Sequence, residues 1–229
     1  MKTVIDYMSK EVLSALFHES DSVRKSVTGN SSDLSLQLDK IAKKLNLNVF
    51  DDSNTTDVHA RLKEDGLHLN PNDSDMQKRF SVAHEIAHIV AKEHLVINSR
   101  SRQEKISYTY AGRQLNHVAR EFSNTKQFIE SLEQEKNNLT QQAQHLYEEV
   151  IDYISALMLV PSRIFANMLD KTDAELAAIF KVPEKCIAKR RTELPLEFAK
   201  LSVSSKEISS HPLKKALSQK TIDSLLAGV

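Results

Sequence analysis

The chain has 229 residues, 40% of them hydrophobic, with four glycines and five prolines. That is enough to bury a core, and the composition leans towards helix. The 31 basic and 31 acidic residues cancel to a formal net charge of zero, which leaves an extensive nucleic-acid-binding surface without support. Cys186 is the only cysteine, no signal peptide is recognised and no apolar run approaches a membrane span, so a cytoplasmic protein with no intramolecular disulfide, no membrane partner and no direct nucleic-acid partner is expected.

Val4, Ile5, Met8, Val12, Leu13, Leu16 and Phe17 fall on one face of a helix over residues 3–18. The serine-rich stretch Glu19 to Ser32, with Gly29-Asn30, reads as a loop or linker, which makes residues 1–30 an N-terminal helical extension. Ser32 or Asp33 can cap a second helix with Leu34, Leu38, Ile41 and Leu45 facing inward. Leu47 to Phe50 reads as a short strand. Val58 to Lys63 and Leu67 to Asn70 flank Glu64-Asp65-Gly66, a hairpin signal. A small, mostly antiparallel sheet is expected over residues 47–70, its edge strand available to an extended peptide. His59 and His68 lie on these strands as exposed or hydrogen-bonded residues.

Residues 79–90 read RFSVAHEIAHIV, a helix with Phe80, Ala83, Ile86, Ala87 and Val90 as its apolar positions. His84 and His88 stand four apart, so both imidazoles project from one face, where they can take two corners of a tetrahedral zinc site. Glu85 follows the first histidine at the place where a carboxylate reaches an activated water without ligating the metal. The arrangement is HExxH, with Glu85 as general base of a metal-dependent hydrolase. Among nine histidines such a spacing can arise by chance, but a half-buried Glu between two histidines in an apolar helix needs a partner or a task.

After Lys92 the stretch 97–140 is polar, with scattered helical patterns at Leu115, Val118, Ala119 and Phe122, then at Phe128, Ile129 and Leu132. One or two exposed helices, or a projecting hairpin, are expected. Residues 143–160 form a strong amphipathic helix on Leu146, Val150, Ile151, Ile154, Leu157 and Met158. The third metal ligand has two candidates. His94 lies ten residues past His84; in an unbroken helix that is about 1000° and ~15 Å away, and Ala91 stands where a helix-ending glycine would be needed. Glu148 is the better candidate, with Glu149 as its rival. Asp152, one turn beyond Glu148, is placed to accept the free ring N–H of a ligating histidine. Further on, Ala174 to Arg191 has a helix-turn-helix look, with Val182-Pro183 at the turn and Lys189-Arg190-Arg191 at its end. Three basic residues in a neutral chain favour a packing appendage over a DNA reader.

HExxH followed by ExxxD on a later helix is the gluzincin pattern, and at these residues the chain resembles the ImmA/IrrE family of metallopeptidases. The family hallmark RFtlAHElgHll is matched at Arg79, Phe80, Ala83 and the whole HExxH. EEVIDYISALMLVP, Glu148 to Pro161, resembles a second hallmark, and LAAIFKVPEKCIAKRR, Leu176 to Arg191, a looser third. The chain departs from the family in the interval of about sixty residues between His88 and Glu148, roughly twice that expected, which marks 97–140 as an insertion. It departs also at Ile154 and Ser155, which replace an aromatic and a small residue.

The resemblance implies an α+β, mostly helical, zincin-like metallopeptidase fold, with a small antiparallel sheet packed on the HExxH helix and a helical C-terminal tail. The metallopeptidase domain would span 33–170 and the helical appendage 171–229. One Zn2+ per chain would be held by His84, His88 and Glu148, with Glu85 catalytic and Asp152 behind a ligating histidine. The implied activity is cleavage of a protein, a helix-turn-helix repressor of the phage or mobile-element kind acting in trans, to relieve repression. Tyr108, Tyr110, His117 and His145 are candidates for a second oxyanion donor. The alternatives are a regulatory protein that keeps the fold and binds a repressor or toxin without cutting it, and a zincin of another branch that cuts small peptides.

Overall fold

In the computed structural model, which describes residues 3–28, 34–92, 94–98, 105–108 and 125–202, the chain opens on one 3-10 turn, Val4–Tyr7, and continues into α1, Lys10–Thr28. Val4, Ile5, Met8, Val12, Leu13 and Leu16 are buried, as their spacing predicts. The helix, however, runs on through most of the serine-rich stretch read as a loop. The reason is tertiary: Val23 and Arg24 are buried, and Arg24 Nη1 donates to the Met158 carbonyl at 2.6 Å. A partner so distant in sequence cannot be announced by local composition. Gly29-Asn30 lies outside the described residues.

The second helix, α2, spans Leu38–Lys44, starting later than the capping residues suggest. Leu36 is instead held outside it, fully buried, with its carbonyl accepting from Arg79 Nη2 at 2.5 Å. Asn46, with φ 53, takes the left-handed conformation that ends α2. The strands follow: β1, Val49–Asp51; β2, Ala60–Lys63; and β3, Gly66–Leu69, in the spatial order β1-β3-β2. β2 and β3 form the expected antiparallel hairpin, closing on the pair Lys63 and Gly66. β1 pairs with β3 in parallel, so the sheet is mixed and the expectation of a small antiparallel sheet is corrected. The cause is the connection 52–59, which is too long for a hairpin turn and carries the chain to the far side of β3.

Ser74 opens α3, Asp75–Ala91, its Oγ accepting from the Gln77 N–H at 3.2 Å. Two strands, β4, Leu95–Asn98, and β5, Lys105–Tyr108, pair antiparallel. α4, Thr125–Asn137, then runs into a tight turn at which Thr140 caps α5, Gln141–Leu159, by accepting from the Ala143 N–H. The last described elements are α6, Ser162–Phe165, α7, Asp173–Phe180, and α8, Glu184–Ser202. Thr172 and Glu175 form a reciprocal capping box at the start of α7, and Lys181 at φ 55 ends it.

α3 and α5 pack along each other through Ala83, Ile86, Ala87 and Val90 on one side and Ile151, Ile154 and Ala156 on the other, at the centre of one buried apolar cluster. Each aliphatic side chain so buried stabilises by about 1.5–3 kcal/mol, so burial holds the two helices that carry the motifs firmly against each other. Among the described residues no helix is long and apolar enough to cross a membrane.

Candidate metal centre

Successive turns of α3 bring His84 and His88 together, with Nε2 to Nε2 at 3.1 Å and the rings edge to face. From α5, Glu148 Oε2 lies 3.3 Å from each of these nitrogens. Three ligand atoms at 2.0–2.1 Å from a tetrahedral zinc stand about 3.3–3.4 Å apart, since a tetrahedral edge is about 1.6 times the ligand distance. The observed spacings therefore fit a zinc ion without rearrangement. These three side chains form the one group able to hold a metal among the described residues.

Each of the three candidate ligands is held in place by neighbouring side chains. Asp152 Oδ1 is 2.8 Å from His84 Nδ1, which places the proton on Nδ1 and leaves Nε2 free to ligate. His88 has no such acceptor for Nδ1 among the described residues; it is fixed by burial and by the Tyr147 ring, stacked at 5.7 Å and 22°. Lys136 of α4 reaches Glu148 Oε1 at 2.6 Å, so one carboxylate oxygen is occupied and the other faces the histidines.

The electrostatics follow from the same contacts. Burial opposes a charge on His84, but the hydrogen bonds it donates to Asp152 and Glu148 outweigh this and raise its pKa to about 9. His88 is pushed the other way, because burial dominates and its neighbour His84 adds repulsion. Burial would raise the Glu148 carboxyl, yet His84, His88 and Lys136 hold it well below the usual carboxylate range. A dense anionic acceptor beside two imidazole nitrogens is a donor set suited to a divalent cation.

Glu85 is half-buried and lines a cavity of about 460 Å³ together with His84, Asp152, Phe80, Gln77 and His59. Its carboxylate acts electrostatically on both histidines. His94 lies past the end of α3, its ring 6.0 Å from Tyr108, and does not join the cluster. Glu149 faces back along α5 to His145 at 3.9 Å and is likewise apart. Tyr108 is buried on β5 and the His145 side chain is 77% exposed, while Tyr110 and His117 lie outside the described residues. His68 lies on β3 and is hydrogen-bonded to Asp52 and Asp65, whereas His59 lies just before β2 and is hydrogen-bonded to Asp73; neither joins the cluster.

Two features of the site escape the sequence reading. Lys136 sits in a polar segment with no motif; only the Thr140 cap, which folds α4 back beside α5, could have placed it near Glu148. Lys185, Cys186 and Lys189 of α8 also line the cavity, although their segment reads as packing. Arg190 and Arg191, the rest of that basic cluster, turn inward: Arg190 is fully buried against Glu193 and Glu197, and Arg191 Nε bonds Asp173 at 2.5 Å.

Residues 42–129 match the family model of the IrrE N-terminal-like domain, a peptidase family. The match begins within the last turn of α2, takes in the three-stranded sheet, all of α3 and the start of α4, and stops short of Glu148 and Asp152. No curated protein and no solved structure matches the chain. Over residues 42–129, then, the chain carries an IrrE N-terminal-like domain, which supports the resemblance to the ImmA/IrrE metallopeptidases.

Proposed function

We propose that the chain is a cytoplasmic zinc-dependent endopeptidase that cleaves a helix-turn-helix repressor in trans and so relieves repression. The observation that carries the enzymatic part is the convergence of His84 Nε2, His88 Nε2 and Glu148 Oε2 at 3.1–3.3 Å, with Glu85 beside them on the wall of an open cavity. The repressor target rests on the family resemblance.

A zinc ion held by His84, His88 and Glu148 would supply Lewis acidity to the scissile carbonyl and a water whose pKa falls to about 7. Glu85 takes a proton from the attacking water onto a carboxylate oxygen. It later delivers that proton to the amide nitrogen as the C–N bond breaks. Asp152 keeps His84 in the Nδ1–H tautomer, and Lys136 restricts Glu148 to one ligating oxygen. β2 is an outer strand of its sheet, and His59 and Ala60 beside it also line the cavity; this is where an extended substrate can add as a strand.

Metal analysis of the purified protein beside Glu148→Gln and His94→Ala tests the site: about one zinc per chain is expected in wild type and in His94→Ala, and none in Glu148→Gln. Zinc-loaded protein is then incubated with candidate repressors, with Glu85→Gln as control. Cleavage by wild type alone supports the reading. Bound zinc with no repressor cut would favour the non-cleaving regulator instead.

A further inference from the structure

The cavity beside Glu85 has a wall that the proposed chemistry does not use. Lys185 and Lys189, one turn apart at the start of α8, line it together with Cys186. Neither lysine side chain makes a hydrogen bond or an ion pair within the described residues. Glu193, the carboxylate whose charge interacts with Lys189, is buried and bonded to Arg190. On the catalytic side the carboxylates are Glu85 and Asp152, of which Asp152 is engaged by His84. Lys185 also stands in the first turn of a helix, where the macrodipole disfavours a cation. Two uncompensated cations on one wall of a substrate-sized cavity attract an anionic group brought in by the substrate.

Resting on the peptidase reading, we propose that Lys185 and Lys189 form a subsite for an acidic side chain, so that the enzyme selects peptide segments carrying Glu or Asp close to the scissile bond. The carboxylate would meet the lysines while the peptide backbone lies between β2 and α3. The subsite is built from α8, outside the stretch that matches the family model, and so belongs to this chain's own specificity.

The chain contains no tryptophan, so the emission of a single-tryptophan peptide reports its binding directly. Two pools of random octapeptides, one with Glu and one with Gln fixed at alternate positions, are titrated onto zinc-loaded, full-length Glu85→Gln protein. The Glu pool is expected to bind about five- to tenfold more tightly, with the preference fading at high salt. It should vanish in Lys185→Gln/Lys189→Gln and return in Lys185→Arg/Lys189→Arg. Equal binding of the two pools, no binding of either, or a preference that survives the double Gln substitution overturns the proposal. Cleavage of mixed peptides by the wild type is read separately. Cuts without nearby acidic residues sink the subsite and leave the peptidase standing, whereas absence of any cut sinks the peptidase reading and leaves the binding preference to be judged by the titration.

Discussion

Glu85 stands beside the ligand cluster without joining it, and the roles of its neighbours can be separated on that basis. Glu85→Gln keeps size and hydrogen bonding but cannot carry the proton; peptide hydrolysis is expected to fall by about 10²–10⁴-fold while zinc content stays at one per chain, measured on the same preparation. Asp152→Ala removes the acceptor for His84 Nδ1 and is expected to weaken zinc binding by about 10–100-fold, read by chelator competition. The pH dependence has a definite sign. With its pKa raised to about 9, metal-free His84 carries a proton at neutrality, whereas ligation requires the neutral ring. Zinc uptake at pH 7 is therefore expected to release about one proton, and affinity to rise with pH until about 9. Calorimetry in buffers of different ionisation enthalpy measures this directly. In the metal-free protein the same raised pKa adds stability that is complete below the unfolded value of about 6.5 and is lost as pH rises through about 9. At this scale the motif residues were legible because chemistry fixes both their type and their i,i+4 spacing. Lys136 was not, since its role comes from a helix packed beside Glu148 and not from any pattern around itself.

Elements were legible where a local signal suffices and illegible where a distant partner decides. The Ser74 and Thr140 caps and the apolar stripes of α3 and α5 are written in adjacent residues. The length of α1 is not, because its serine-rich second half is kept helical by Arg24 reaching the end of α5. The hairpin was readable from Asp65-Gly66, but the glycine does more than turn the chain. Gly66 opens β3 with φ +146, and a Cβ there would come within 2.5 Å of the Asn48 carbonyl oxygen, the same oxygen that accepts from the Leu67 N–H at 2.8 Å. The parallel pairing of β1, which composition could not show, thus depends on a bare backbone at 66. Gly66→Ala is expected to cost about 1–3 kcal/mol, seen as a lower urea midpoint. An unchanged midpoint would mean that β1 can shift without loss and that the close approach is not a constraint.

At the scale of the molecule, two fasteners hold helices to α5, and they differ in how they respond to metal. One is permanent. Arg190, wholly buried, is bonded to Glu193 and Glu197, and Glu197 also accepts from Tyr153 of α5 and from Ser162; the isolated sequence offered only a basic triplet. Arg190→Ala would strand two buried carboxyl groups, at a cost of about 3–5 kcal/mol. The other fastener is conditional. His84 and His88 come from α3 and Glu148 from α5, so an ion bound by all three ties the central helix pair together and has no equivalent site in the unfolded chain. Zinc at about 100 times its dissociation constant is then expected to add about 2.7 kcal/mol to stability, and EDTA to remove it. Glu148→Gln should abolish the zinc increment, while Arg190→Ala should lower stability by the same amount with and without zinc, since the two groups share no partner. Thermal unfolding of the three proteins with zinc and with EDTA distinguishes these cases. A zinc increment that persists in Glu148→Gln would place the ion elsewhere and undo the assignment of the ligands.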